Sequence, residues 1–241
     1  MKETVLQLIF PPRCAVCGEV LDLQERKGFL CTACAENLPF LSAENCPHCG
    51  GKTETAGFCE FCMKPYAFAS ACAAFPYGAV RHAIHLFKYD GGKEIGRGLG
   101  KLMAEYLLRF HEELLVKTDV ILAVPLYPKK EKQRGFNQAQ ILCEEISRGT
   151  GLIFQKDGLI RKRNTVAQST LRPEERKENL KEAFAATEDF TGKRILLVDD
   201  IFTTGSTCNA CSKALYRAGA KEVMVFSLAA ARAEKWENMD E

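Results

Sequence analysis

A chain of 241 residues has room for one α/β domain of ordinary size and a small appendage, and is short of two full-sized domains. Its make-up, 46% hydrophobic and 27% charged with 18 Gly and 9 Pro, excludes a disordered, collagenous or coiled-coil chain. The net charge of +2 is unevenly spread: residues 1–62 carry 5 basic against 8 acidic groups and the remainder 28 against 23, so an anion is expected mainly on the second part.

No apolar run approaches the roughly 18 to 20 residues that cross a bilayer; the longest, 223–231, is interrupted by Ser227. Met1-Lys2-Glu3 and the short apolar patch ending at Pro11-Pro12 lack the h-region and cleavage site of an export signal, which makes the cytoplasm the expected compartment. In a reducing compartment, cysteines read as metal ligands before disulfides. Eight of the 12 Cys form four Cys-x-x-Cys pairs, Cys14/Cys17, Cys31/Cys34, Cys46/Cys49 and Cys59/Cys62. Each pair makes a knuckle offering two thiolates, 13 and 9 residues inside successive couples suit small ribbons, and eight thiolates imply two structural Zn²⁺. Sequential pairing, Cys14, Cys17, Cys31 and Cys34 and then Cys46, Cys49, Cys59 and Cys62, closes shorter loops than a cross-braced arrangement and is favoured; an iron–sulfur cluster is the lesser alternative. Gly18 and Gly50 fit a positive φ behind their knuckles. Residues 1–66 are therefore read as a Cys-rich double ribbon that owes much of its folding free energy to metal, and 67–241 as a second domain.

From residue 67 the pattern alternates between strands and helices. Residues 68–75 read as a strand, and Val80, Ala83, Ile84 and Phe87 form one helix face that ends at Asp90-Gly91-Gly92. His82 and His85 fall on its polar face. A longer helix buries Ile95, Leu99, Leu102, Met103, Tyr106, Leu107 and Phe110. A buried strand at 119–124, a polar loop, a helix at 137–148 and short strands near 152–154 and 158–161 follow. The last unit, strand 194–198, helix 206–218 and strand 223–228, is a βαβ crossover and implies a mostly parallel sheet with flanking helices.

Ligands of open parallel sheets bind beyond the C-terminal strand ends. The residues leaving strand 194–198 are Asp199, Asp200, Ile201, Phe202, Thr203, Thr204, Gly205, Ser206 and Thr207. Two adjacent carboxylates there are costly to desolvate and call for hydroxyl donors or a cation. The hydroxyls, the glycine and the free N–H groups of the next helix make a phosphate cradle. A P-loop is excluded because Gly205-Ser206-Thr207 lacks its lysine, and Gly96, Gly98 and Gly100 lack the Rossmann spacing and read as close helix packing. Cys208 and Cys211 start the helix after the cradle, where a lowered thiol pKa and redox control compete with simple packing. Cys72 and Cys143 read as core.

The run 198–207 resembles the phosphoribosyl pyrophosphate (PRPP) motif of type I phosphoribosyltransferases. With the Cys-rich start, Phe87-Lys88-Tyr89, Arg134-Gly135-Phe136-Asn137-Gln138, Arg163-x-Thr165-x-x-Gln168 and Arg176-x-x-Asn179, the chain resembles the ComF family of competence-associated phosphoribosyltransferase-like proteins over nearly its whole length. The resemblance implies a type I phosphoribosyltransferase-like α/β domain behind a double zinc ribbon. Asp199 and Asp200 would hold the ribose hydroxyls, Thr203, Thr204, Gly205, Ser206 and Thr207 the 5′-phosphate, and Mg²⁺ would accompany PRPP. Pyrophosphate would lie by the loop after strand 119–124, near Lys129, Lys130, Lys132 and Arg134, and Lys88 is a further PRPP-binding candidate. Residues 161–177, with six basic groups, resemble the flap of such enzymes and would add Arg163 or Arg172.

The implied activity is Mg²⁺-dependent phosphoribosyl transfer to an unidentified acceptor with pyrophosphate release, linked to DNA uptake in natural transformation; Asp199, Asp200, Arg134 and Arg163 are its candidate catalytic residues. The alternative is a non-catalytic, PRPP-regulated module that binds single-stranded DNA or protein, with a ComF helicase-like partner. Segments 129–134 and 161–177 could track a phosphate backbone, with Phe136 the main candidate for base stacking. The ribbons, net negative, suit protein docking or structure better than DNA.

Overall fold

A computed structural model of the chain describes residues 11–41, 46, 53, 66–89, 92–162 and 183–231. The ribbon begins with a bridge between Arg13 and Val20 around a knuckle whose Gly18 has φ 79°, as expected; Gly50 lies outside the described residues. A 3₁₀ turn at Glu25–Lys27 and helix α1 (Thr32–Asn37) follow.

The elements of the larger unit are β1 (Ser70–Pro76), α2 (Tyr77–Lys88), α3 (Lys93–Phe110), α4 (Glu112–Lys117), β2 (Val120–Ala123), α5 (Pro128–Arg134), α6 (Gln138–Thr150), β3 (Leu159–Arg161), β4 (Phe184–Ala186), β5 (Arg194–Phe202), α7 (Ser206–Arg217) and β6 (Glu222–Ala230). A four-stranded sheet in the order β1-β6-β5-β2 is parallel throughout, and β3 and β4 form a separate antiparallel pair. Residues 152–154 contribute only a bridge from Phe154 to Ile121.

Val80, Ala83, Ile84 and Phe87 are all buried on α2, as their spacing predicts. Helix α6 starts where Asn137 accepts the Ala139 N–H (3.0 Å) and stops at Gly151 with φ 78°. Two corrections bear on the site. The stretch read as a polar loop contains α5, with Pro128 in its first turn and Gly135 (φ 78°) as its left-handed cap. Because this helix buries no side chain, it has no apolar period to betray it; its Lys, Glu, Gln and Arg residues are good helix formers. Strand β5 also runs past Val198 to Phe202, since β6 is long enough to keep pairing with it, Asp199 opposite Ser227 and Phe202 opposite Ala230.

Helices α2, α3 and α6 cover one face of the sheet, where Leu196 and Val198 point; α7 and the β3–β4 pair cover the other with Ile195 and Leu197. The glycines of α3 serve close packing. A Cβ on Gly96 would stand 2.1 Å from the Phe87 ring, on Gly98 2.1 Å from the Phe29 ring of the ribbon, and on Gly100 2.7 Å from Cβ of Glu145. The ribbon is joined to the main core as well. Phe40 packs 5.0 Å from Phe75 and 5.3 Å from Tyr106, and the Leu41 N–H donates to Ala74 O (2.8 Å) at the edge of β1.

Candidate functional site

Among the described residues the sheet opens beyond the end of β2. Strand β2 ends with Ala123 opposite Val198, so residues 199–202 of β5 keep β6 on one side and lose their partner on the other. Asp199 and Asp200 sit in that opening, both half-buried. Strand alternation aims them at opposite faces. Asp200 lies on the α2 side, 2.9 Å from Lys88 Nζ, with each side chain 20% exposed. Asp199 turns towards α7: its Oδ1 accepts the Asp200 N–H (2.9 Å) and its Oδ2 lies 3.8 Å from the Cys208 thiol, which donates to it. The two carboxyls thus have different partners, Lys88 for Asp200 and Cys208 for Asp199, while still acting on each other. Burial, and then the neighbouring Asp200, push the Asp199 carboxyl well above the usual range, against the opposing pull of Lys88.

The turn after β5 places Gly205 at φ 67°, at the entrance to α7. Thr204 Oγ1 and Ser206 Oγ are 2.8 Å apart, Thr203 and Thr204 are exposed, and Ser206 and Thr207 are half-buried. Tyr66 was not singled out by the sequence, because it belongs to no periodic face and no motif. Its hydroxyl donates to Thr204 O (3.1 Å), and its ring approaches to within 3.2 Å of where a Cβ on Gly205 would stand. The Asn209 side chain holds the same junction by accepting the Ala67 N–H (2.6 Å).

On the α2 side, Lys88 opens into a cavity of about 640 Å³ whose walls include Tyr89, Lys93, Lys130, Arg134 and Phe136. Here the structure brings together Lys88, Lys130 and Arg134, while Lys129 is exposed and outside the cavity wall. A helix separates two consecutive lysines by about 100° of rotation, which a loop reading does not anticipate. Arg134 donates to Oε1 of Gln138 (3.0 Å), and Asn137 Nδ2 donates to Val124 O (3.1 Å), tying the end of β2 to the start of α6. Arg163 and Arg172 lie outside the described residues, as does most of the expected flap; Arg161 and Lys162 are its described part.

Cys208 and Cys211 are buried, and burial raises both thiols well above their ordinary value. Desolvation outweighs the pull of the helix terminus on both thiols, and both side chains pack in the core. Cys143 is likewise core, whereas Cys72 is half-buried and its thiol is pushed up to about 12 mainly by burial.

In the first ribbon the ligating sulfur atoms of Cys14, Cys17, Cys31 and Cys34 all lie within 4.8 Å of one another, and the Cys34 N–H points at Cys31 Sγ (3.4 Å). Four thiols so gathered fit a tetrahedral Zn²⁺ and match the sequential pairing. Cys46 is buried, and Cys49, Cys59 and Cys62 lie outside the described residues. Among the described residues no helix is long and apolar enough to cross a membrane.

Comparison with known proteins adds independent findings. The double zinc ribbon domain family matches residues 5–63, and the phosphoribosyl transferase domain family matches residues 132–241. Competence protein F of Haemophilus influenzae is 32% identical over 230 residues, covering 91% of this chain and 97% of that protein. Competence protein ComFC of Streptococcus pneumoniae is 31% identical, covering 90% and 99%. The DNA utilization protein YhgH of Escherichia coli is 33% identical over 187 residues, covering 76% and 82%. With its parallel α/β sheet, phosphoribosyltransferase-type domain and N-terminal double zinc ribbon, the chain belongs to the competence protein F (ComF) family.

Proposed function

We propose that the chain binds PRPP with Mg²⁺ at the open end of β5 and transfers its phosphoribosyl group to an acceptor, releasing pyrophosphate, in the cytoplasm and in connection with DNA uptake. The observation that carries this is the acid pair at the stretch of β5 that β2 leaves uncovered, running directly into a hydroxyl-rich turn at a helix N-terminus. Carboxylates accept what ribose hydroxyls donate, and the hydroxyls and free N–H groups of residues 203–207 suit a 5′-phosphate. Lys88, Lys130 and Arg134 face the cavity beside them and suit the pyrophosphate, with Lys129 and Arg163 assigned on sequence alone. Asp199 and Asp200 are the residues that would hold Mg²⁺ or the ribose diol; the ion, when bound, neutralises charge on the pyrophosphate.

Departure of pyrophosphate leaves positive charge on the ribose C1 and negative charge on the leaving oxygens, so fixed cations lower the barrier without a covalent nucleophile. In this scheme residues 1–66 form the double ribbon, structural or docking a helicase-like protein, and 67–241 the transferase-like domain. A second, non-catalytic reading, in which PRPP regulates a DNA- or protein-binding module, is favoured by one feature: Lys88 already satisfies Asp200.

Calorimetry of PRPP with Mg²⁺ tests both readings. Binding is expected in the wild type and its loss in the double variant Asp199→Asn/Asp200→Asn. A flat wild-type titration overturns PRPP recognition in either form, and a pyrophosphate-release assay over a panel of acceptors separates turnover from regulation.

A further inference from the structure

Residues 66–69, which lead into β1, are fastened to the last βαβ unit by three hydrogen bonds. The Tyr66 hydroxyl donates to Thr204 O (3.1 Å), Asn209 Oδ1 on α7 accepts the Ala67 N–H (2.6 Å), and the Ala69 N–H donates to Val223 O on β6 (2.8 Å). The aromatic rings of the same stretch form a column under the turn after β5. Tyr66 stacks on Phe68 with centroids 4.7 Å and planes 15° apart, and Phe68 meets the Phe202 ring edge-on at 6.1 Å. Phe68 and Phe202 are fully buried, so the column stands on the core, and Phe202 and Tyr66 together cover one side of Gly205. The carbonyl that Tyr66 holds belongs to the Thr204–Gly205 peptide. No peptide bond among the described residues is cis, and across a trans peptide the C=O and N–H point in opposite directions. Holding the Thr204 carbonyl therefore turns the Gly205 N–H away from Tyr66, towards the side of the turn that the rings leave open. Glycine is the residue least able to fix its own peptide planes, so this orientation has to be imposed from outside the turn.

We propose that Tyr66 is a positioning residue for the 5′-phosphate of PRPP: by holding the Thr204 carbonyl it presets the Gly205 N–H as a donor to that phosphate. A turn ordered in advance avoids the ordering cost that a loose glycine turn meets on binding. This role rests on the PRPP reading above and adds to it a residue outside the run 198–207, supplied by the segment that joins the ribbon to the sheet.

The test is calorimetry on the full-length protein, wild type against Tyr66→Phe, with PRPP, ribose 5-phosphate and pyrophosphate in the presence of Mg²⁺. Tyr66→Phe keeps the ring and its stacking and removes only the hydroxyl, so the fold is retained. Affinity for PRPP and ribose 5-phosphate is expected to fall about fivefold, the effect of one lost hydrogen bond, while that for pyrophosphate changes by less than about twofold. A merely structural role would weaken all three ligands alike or none of them. The Gly205 amide resonance gives a second readout by two-dimensional NMR: ribose 5-phosphate is expected to shift it in the wild type and to shift it less in Tyr66→Phe. Ribose 5-phosphate affinity unchanged by the substitution, or an equal loss for pyrophosphate, overturns the role of Tyr66 and leaves the PRPP reading standing. A wild type that binds neither PRPP nor ribose 5-phosphate overturns the PRPP reading, and the role of Tyr66 falls with it.

Discussion

Asp199 pays a desolvation penalty that its neighbours relieve only in part, and this gives it a measurable signature. Its carboxyl is raised above the ordinary range by burial and by Asp200. A carboxyl with a raised folded pKa favours the fold while protonated, so its contribution is fully present below the unfolded value of about 4 and is lost as pH rises through the folded value. Asp199→Asn removes the ionisation. Thermal melts are therefore expected to show the variant matching the wild type near pH 4 and exceeding it at pH 8; a variant less stable than wild type at pH 8 would show that the ionised form makes contacts that repay its burial. Gly205 illustrates the opposite case, a position where the backbone sets the requirement. With φ at 67° and the Phe202 ring 2.7 Å from a hypothetical Cβ, no larger residue can hold the turn without strain.

Helix α3 is an element shaped by what it must pass. Its three glycines face Phe87 of α2, Phe29 of the ribbon and Glu145 of α6, so one helix approaches three neighbours at close range. Ala is the better helix former by about 1 kcal/mol, and an exposed Gly→Ala change would stabilise. At Gly96 the balance reverses, because the added methyl meets the fully buried Phe87 ring and overpacking costs about 1–3 kcal/mol. Gly96→Ala is expected to lower Tm by a few degrees in a thermal melt, at roughly 2–4 °C per kcal/mol for a chain of this size. A rise would mean that α2 and α3 can separate freely. Helix α5 carries the complementary lesson: a surface helix with no buried face leaves no periodic trace, and its sequence signals are its cap residues, Pro128 and Gly135, and its run of good helix formers.

At the scale of the whole molecule, the metal site and the sheet are one assembly. The ribbon that gathers Cys14, Cys17, Cys31 and Cys34 is the same one whose Phe29 and Phe40 pack on α3 and β1. Structural zinc supplies on the order of 10 kcal/mol in small isolated domains, so its removal is expected to destabilise beyond the ribbon. Zinc content by mass spectrometry also tests the pairing. Cys14→Ser/Cys31→Ser strikes one site if the knuckles pair sequentially and both if they are cross-braced; one of two equivalents is expected to remain, and loss of both would refute sequential pairing. The four-knuckle spacing, the buried face of α2, the presence of α6, the βαβ unit and the run 199–207 were all legible in the sequence, because each rests on local rules: ligand spacing, helical period and strand-to-helix turns. What depends on distant segments meeting was not legible. The sequence by itself determined that two carboxylates and a hydroxyl-rich turn stand at the end of a parallel strand. Only the tertiary structure decided that the pleat sends Asp199 to Cys208 and Asp200 to Lys88, that Tyr66 holds the turn, and that Lys93 and Tyr89 share a cavity with Arg134. Such contacts are set by the register of β5 against β2 and β6 and by the packing of α2, α3 and α5, and no local pattern encodes them.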